Sequence, residues 1–338
     1  MKDAEGQPVT RDAATAVPSP GFDRLGRKLL ATLALGVLAC VGLVLYSDAH
    51  KVAGRLADFS LVLLLPILGL SLCNYTLRFL RWQLYLKRLA VVLPWGRSLA
   101  VYLVGFLLSV TPGKAGELGK AWLIRELGGG PALRVVPAVL AERVSDLLGV
   151  VVLFSLEALT IPGGRLLAAC GLAAVAGAGI LLTWERGADA VFRGLGRLPW
   201  VGRHVSPLVD VFHRLRSLLS PGLFAVGLLV AILAWGAEGV GFVLAVRQYD
   251  PHARMVIGIF NYNLATFLGS LSMIPGGLLA AEGTLTALLK TQGLDKAASA
   301  SATLIIRAAT LWFAVVLGLV ALPFVARWLA ARRASGGS

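Results

Sequence analysis

With 338 residues, 57% of them hydrophobic and only 15% charged, the chain has a mean hydropathy of +0.79; soluble domains are roughly 45–50% apolar and about 25% charged, so a soluble fold is excluded. Its net charge of +14 lies between hydrophobic blocks rather than in a basic soluble domain, which excludes nucleic acid as a partner and suits positive-inside topology and anionic headgroups. Cys40, Cys73 and Cys170 are scattered through apolar blocks and the four histidines are dispersed, so neither a disulfide framework nor a metal site is expected, and no cofactor.

Residues 1–24 read as a disordered cytoplasmic tail, because the first 21 are polar, contain proline and show no apolar period. "RLGRK" then leads into an apolar run at 29–46, too long for a signal-peptide core and without a small-residue cleavage site, which predicts an uncleaved first helix. Further apolar blocks lie at about 59–80, 97–111, 135–159, 163–183, 221–247, 254–274 and 298–326, so the chain predicts about eight hydrophobic helices. The second block ends in "NYTLRFLRWQLYLK" (74–87), with Arg78 and Arg81 among Tyr75, Trp82 and Tyr85. Two readings stay open there: an anchoring belt of aromatics and snorkelling arginines, or phosphate capture at a pocket mouth.

The block at 97–111 is short for a crossing and runs into "SVTPGKAGELGKAWLIRE" (109–126), where Pro112, Gly113 and Gly116 interrupt the apolar pattern beside Lys114, Glu117 and Lys120. "SMIPGGLLAAEGTLTALLK" (272–290) uses the same device, with Pro275, Gly276, Gly277 and Glu282. Proline ends a helix and glycine admits positive φ, so the chain can turn within the bilayer, provided protein or a water-filled cavity surrounds the turn. A half-helix starting near Gly116 or Gly283 would direct free N–H groups inward, towards a phosphate, with Lys114 and Lys120 adding charge.

After the first break, "AVLAERVSDLLGVVVL" (138–153) carries Glu142, Arg143 and Asp146 in an apolar helix. Each costs about 2.5–3.5 kcal/mol at a helix centre, so they must pair or face a polar cavity. "ATLIIRAATLWFAVVL" (302–317) aligns with that stretch and matches Arg307 to Arg143. The charges either line a pocket for a charged headgroup or form internal pairs such as Arg143 with Glu117 and Arg307 with Glu282; the two readings are compatible. Asn261, Tyr262, Asn263 and Glu238 stand in apolar blocks, where hydrogen bonding between helices accounts for the asparagines.

The connection 184–220 holds Arg186, Arg193, Arg197, Arg203, Arg214 and Arg216, and its end predicts an amphipathic helix at the membrane surface. Pro112 and Pro275 lie 163 residues apart, which divides the hydrophobic region 25–326 into halves of about 25–160 and 161–326. Placing 184–220 and the tail 327–338 on the cytoplasmic side requires six crossings and two re-entrant hairpins entering from opposite faces. That is an inverted repeat, with both termini cytoplasmic, in an all-α polytopic membrane protein.

"TPGKAGELGKAWLIRE", "VLAERVSDLLGVVVL" and "IPGGLLAAEGTLTALL" together resemble the flippase-like membrane domain of the lysylphosphatidylglycerol synthase family, over about residues 25–326. On that pattern Pro112, Gly113, Gly116 and Glu117 form the first loop motif, Glu142, Arg143 and Asp146 the following helix, and Pro275, Gly276, Gly277 and Glu282 the second loop. The family's tighter second motif, "PGGLG-x-x-E", reads "PGGLLAAEG" here. No aminoacyl-transferase domain follows before Ser338, so a stand-alone member without the synthase activity is expected.

The resemblance implies a non-enzymatic lipid flippase of the bacterial inner membrane, moving an aminoacyl-phospholipid, glycolipid, hopanoid or polyprenyl-linked lipid. Arg78, Lys114, Glu117, Lys120, Glu142, Arg143, Asp146, Glu282 and Arg307 are the candidate headgroup residues. The alternatives are a non-transporting partner of a lipid or glycolipid biosynthetic enzyme, or a membrane enzyme using Glu117 or Glu142 with Asp146 as acid and base.

Overall fold

The computed structural model describes residues 22–109, 111, 116–160, 162–183 and 202–335, and among them the regular elements are helical. The N-terminal tail, Pro112, Gly113, Lys114 and the connection carrying Arg186, Arg193 and Arg197 lie outside the described residues.

Helix α1 (Phe22–Tyr46) meets α2 (Ala49–Ala57) at a bend of 102°. Asp48 makes the corner: its backbone has φ 72°, and its side chain accepts the Lys51 N–H at the start of α2. The long α3 (Leu61–Arg88) is followed by the short α4 (Trp95–Ser109), the first break, α5 (Gly119–Glu126) and the long α6 (Ala132–Ala158). Helix α7 (Arg165–Thr183) and α8 (Gly202–Leu218) stand between this series and a second one. There the long α9 (Pro221–Arg247) precedes the short α10 (Met255–Leu271), the second break, α11 (Ala280–Thr291) and a rod made of α12 (Lys296–Arg307) and α13 (Phe313–Ser335). A single π turn, Ala308–Trp312, joins α12 to α13.

Among the described residues three helices are long and apolar enough to cross a bilayer: α3, α9 and the α12–α13 rod; the bent pair α1–α2 makes a fourth candidate. Helices α4 and α10 stop after 15 and 17 residues, short of the roughly 20 that a crossing needs. At 27 residues α6 has the length, but Glu142, Arg143 and Asp146 interrupt its apolar middle.

Small residues set how the helices run past one another. A Cβ at Gly149 would meet Ala231 at 2.5 Å, and one at Gly227 would meet Ser145 at 3.0 Å, so α6 and α9 lie parallel and close. Gly241 faces Ile67 of α3, and Gly227 accepts a bond from Arg81, so α9 runs antiparallel to α3. Gly239 and Gly258 meet Ile259 and Val243, making α10 antiparallel to α9. Gly318 packs on Leu103 and Leu107 while Arg97 covers the Trp328 ring, so α4 and α13 are antiparallel. Leu218 and Leu219, at the end of α8, are buried in the main core beside Tyr85 and Val135.

Candidate functional site

Arg78 and Arg81, one turn apart on α3, point at α6. Asp146 receives both: Oδ1 lies 2.5 Å from Arg81 Nη2, and Oδ2 lies 2.9 Å from Arg78 and 3.2 Å from Arg143. Arg81 also donates to the Gly227 carbonyl at 3.2 Å, and Arg78 covers the Trp235 ring at 5.3 Å. One carboxylate thus draws together arginines from two helices, with indole and carbonyl groups taking part of the remaining charge. The anchoring-belt reading of 74–87 is thereby corrected. Arg78 and Arg81 are 7% and 1% exposed, and Trp82 and Tyr85 are fully buried, because these groups find partners inside the protein.

Lys120, in the first turn of α5, is directed at α6 and the aromatic rings of α3 and α4. Its Nζ lies 2.6 Å from Glu142 Oε2 and 4.5 Å from the Trp82 ring centroid, with Tyr102 on another side. The pair is buried and ties α5 to α6. The inward N–H groups expected at Gly116 and Gly283 are occupied as well. Gly116 donates to Thr111 Oγ1 at 2.7 Å, and Gly283 to the Leu279 carbonyl at 2.8 Å.

Each series ties an arginine of its last long helix to the glutamate that follows its break. Arg143 Nε lies 3.1 Å from Glu117, and Arg307 Nε lies 2.6 Å from Glu282. Arg307 also donates to the carbonyl of Gly276 at 2.9 Å, fixing the second break directly. The turn there depends on left-handed backbone at Gly276 (φ 64°) and Gly277 (φ 66°). It also needs a bare Cα at Gly277, where a Cβ would come within 3.2 Å of Gly269 backbone.

Between these two anchored breaks lies a cavity of about 110 Å³. Of the residues singled out in the sequence, Arg78, Glu117, Arg143, Gly276, Gly277 and Arg307 line it. Asp146 borders an adjoining slot of about 220 Å³, otherwise walled by groups such as Leu147, Val150, Phe267 and Leu271. The two spaces share Arg143, Trp235, Thr266 and Ser270, so a chamber of mixed polarity meets a more apolar one.

Sequence reasoning did not place Tyr75, Trp235, Glu238, Tyr262, Thr266 or Ser270 at the site. Tyr262 donates to Glu238 Oε2 at 2.5 Å, and Tyr75 donates to the Thr310 carbonyl within the π turn at 2.6 Å. A signal was available: Tyr262, Thr266 and Ser270 recur every fourth residue and form one polar stripe on the apolar α10. Among the described residues no group of His, Cys, Asp and Glu side chains is placed to hold a metal. The chamber offers guanidinium donors, carboxylate acceptors and aromatic faces, an equipment for binding a polar group of mixed charge.

Comparison with known proteins locates this arrangement. An archaeal protein described as a UPF0104 membrane protein, from Methanothermobacter thermautotrophicus, is 21% identical over 319 residues, covering 86% of this chain and 94% of its own length. The family model described as the lysylphosphatidylglycerol synthase TM region matches residues 31–318, across both breaks and every charged residue of the cavity, and the chain belongs to that family of membrane proteins.

Proposed function

We propose that the protein is a lipid flippase that passes a polar headgroup through the chamber between its two breaks while the acyl chains stay in the apolar slot. The observation that carries this reading is the junction of the two spaces at Arg143, Trp235, Thr266 and Ser270, which has the polarity profile of an amphiphile. Arg78, Arg143 and Arg307 suit the phosphate, while Glu117, Glu238 and the aromatic walls suit an amine. The bound class is therefore a zwitterionic or phosphate-plus-amine lipid rather than a bare anion, which the carboxylates would repel.

The helix directions support an inverted repeat with transport through its centre. Helix α4 is antiparallel to α13, and α10 is antiparallel to α9, which itself opposes α3. Since α3 turns back directly into α4, the leading arms of the two hairpins then enter from opposite faces. The charge distribution supports a cytoplasmic end holding the α3–α4 turn. That end carries Lys87, Arg88, Arg97, Arg125, Arg134, Arg332 and Arg333, whereas Asp48, Asp58, Asp250 and Asp295 dilute the bases at the other.

Reconstitution tests the reading. Vesicles holding acyl-labelled phosphatidylethanolamine or phosphatidylglycerol, quenched from outside by dithionite, should show protein-dependent exchange that favours the ethanolamine lipid. Arg143→Ala and Arg307→Ala should reduce that exchange by about tenfold or more, the loss of one charge-assisted contact. A preference for the glycerol lipid would assign the carboxylates to structure alone. Chemical conversion of the lipid would make the protein an enzyme, and absence of both movement and conversion would make it a partner of one.

A further inference from the structure

Among the described residues the buried acids of the bundle divide into two kinds. Glu117, Glu142, Asp146 and Glu282 each lie within 3.2 Å of an arginine or lysine nitrogen. Glu238, midway along α9 and 3% exposed, has no ion pair and receives only the Tyr262 hydroxyl. A hydroxyl donor stabilises a carboxylate without neutralising it. An uncompensated carboxylate in a low-dielectric interior is costly enough that it takes up a proton or a cation.

The neighbours of Glu238 do not supply that cation. From α3 come Tyr75 and Arg78, and Arg78 is held by Asp146. From α6 comes Arg143, shared between Glu117 and Asp146. From α12 comes Arg307, held by Glu282, and from α10 only Tyr262. Trp235, one turn before Glu238 on α9, completes an aromatic wall with Tyr75 and Tyr262, a surface that favours an ammonium group.

Resting on the headgroup reading above, we propose that Glu238 is a proton-exchange site. The carboxyl holds a proton while the chamber is empty, and the lipid amine displaces it. The O–H bond of Glu238 breaks, the proton passes to water on the open side, and the ammonium takes its place beside the carboxylate, while the lipid phosphate faces the chamber's arginines. Release of the lipid on the far side returns a proton to the carboxylate. Amine-lipid movement is thereby coupled to opposite proton movement, so a pH gradient drives it.

Two measurements on the purified full chain test this. In weakly buffered detergent with a pH indicator, short-chain phosphatidylethanolamine should release a proton for each lipid bound, and phosphatidylglycerol should release none. Glu238→Gln should bind without release. Infrared pH titration, which needs no lipid, should show a protonated carboxyl band near neutral pH that Glu238→Gln abolishes. Tyr262→Phe, having lost the hydroxyl that favours the carboxylate, should keep the band to higher pH. Binding without proton release overturns the coupling and leaves the headgroup site standing. Binding of neither lipid rejects the headgroup site itself, and with it the exchange. Absence of the Glu238 band overturns the proton site whatever the lipids do.

Discussion

Asp146 is the residue on which the charges of the first series converge. Its two oxygens serve Arg78, Arg81 and Arg143, so the carboxylate cannot be removed without stranding several buried cations at once. Breaking one buried pair from one side costs roughly 3–5 kcal/mol, and Asp146→Ala is expected to lose at least that much stability. A fall in the thermal unfolding midpoint, followed by tryptophan fluorescence in detergent, measures it. Arg143→Ala should lower the midpoint less than Asp146→Ala while losing lipid exchange, because Arg143 is the most exposed of the three arginines at 26% and its loss leaves one carboxylate, Glu117, without its partner rather than several cations. Equal unfolding midpoints for the two variants would mean that Asp146 has no organising role. The sequence exposed the need to offset Glu142, Arg143 and Asp146, because charges in an apolar helix stand out. It did not expose Arg81 as the closest partner of Asp146, because Arg81 sits near a helix end, where surface arginines are also common.

The breaks act at the scale of whole elements. Four residues around the second one have positive φ: Met273, Gly276, Gly277 and Leu279. Left-handed backbone costs a residue with a Cβ roughly 1–2 kcal/mol, so Gly277→Ala should destabilise by about that amount, plus the clash with Gly269. Gly283 lies in helical backbone with nothing within 4 Å of a Cβ, so Gly283→Ala should stabilise α11 by up to about 1 kcal/mol. Thermal midpoints of the two variants should move in opposite directions, and a common direction would refute this account of the turn. Proline and glycine announced both breaks in the sequence, together with the glutamate after each. The lysines were harder to read. Lys120 follows the first break as closely as a phosphate ligand would, yet α5 carries it to the face where Glu142 and the Trp82 ring lie. Helical phase decided its direction.

For the molecule as a whole, composition alone established a helical membrane protein, and hydropathy marked the positions of its apolar segments. Which segments have the length to cross was less legible, because α4 and α10 end at breaks that merge with their apolar runs. The orientation proposed above rests on the two unequal ends. Single cysteines placed at Arg88 and at Lys290, both exposed, test it after Cys40, Cys73 and Cys170 are replaced. In intact cells a membrane-impermeant maleimide should label the Lys290→Cys protein and spare the Arg88→Cys protein until the membrane is opened. The reverse pattern would invert the orientation, and labelling at both would place α3 differently from the fold described here. The cavity itself was the least legible feature, since Tyr75, Glu238, Tyr262 and Arg307 come from four helices whose meeting depends on packing.

The sharing of Asp146 has a consequence for how the chain is made. Arg81 and Asp146 are 65 residues apart, so α3 leaves the ribosome well before its counter-charge does. Until α6 arrives, α3 bears two arginines in its C-terminal half with no acid to meet, and α6 alone is burdened by three charges of its own. Each such group opposes entry into lipid by about 2.5–3.5 kcal/mol at the centre of a helix. The two helices are therefore expected to reach their final depth together, each supplying the charge that neutralises the other.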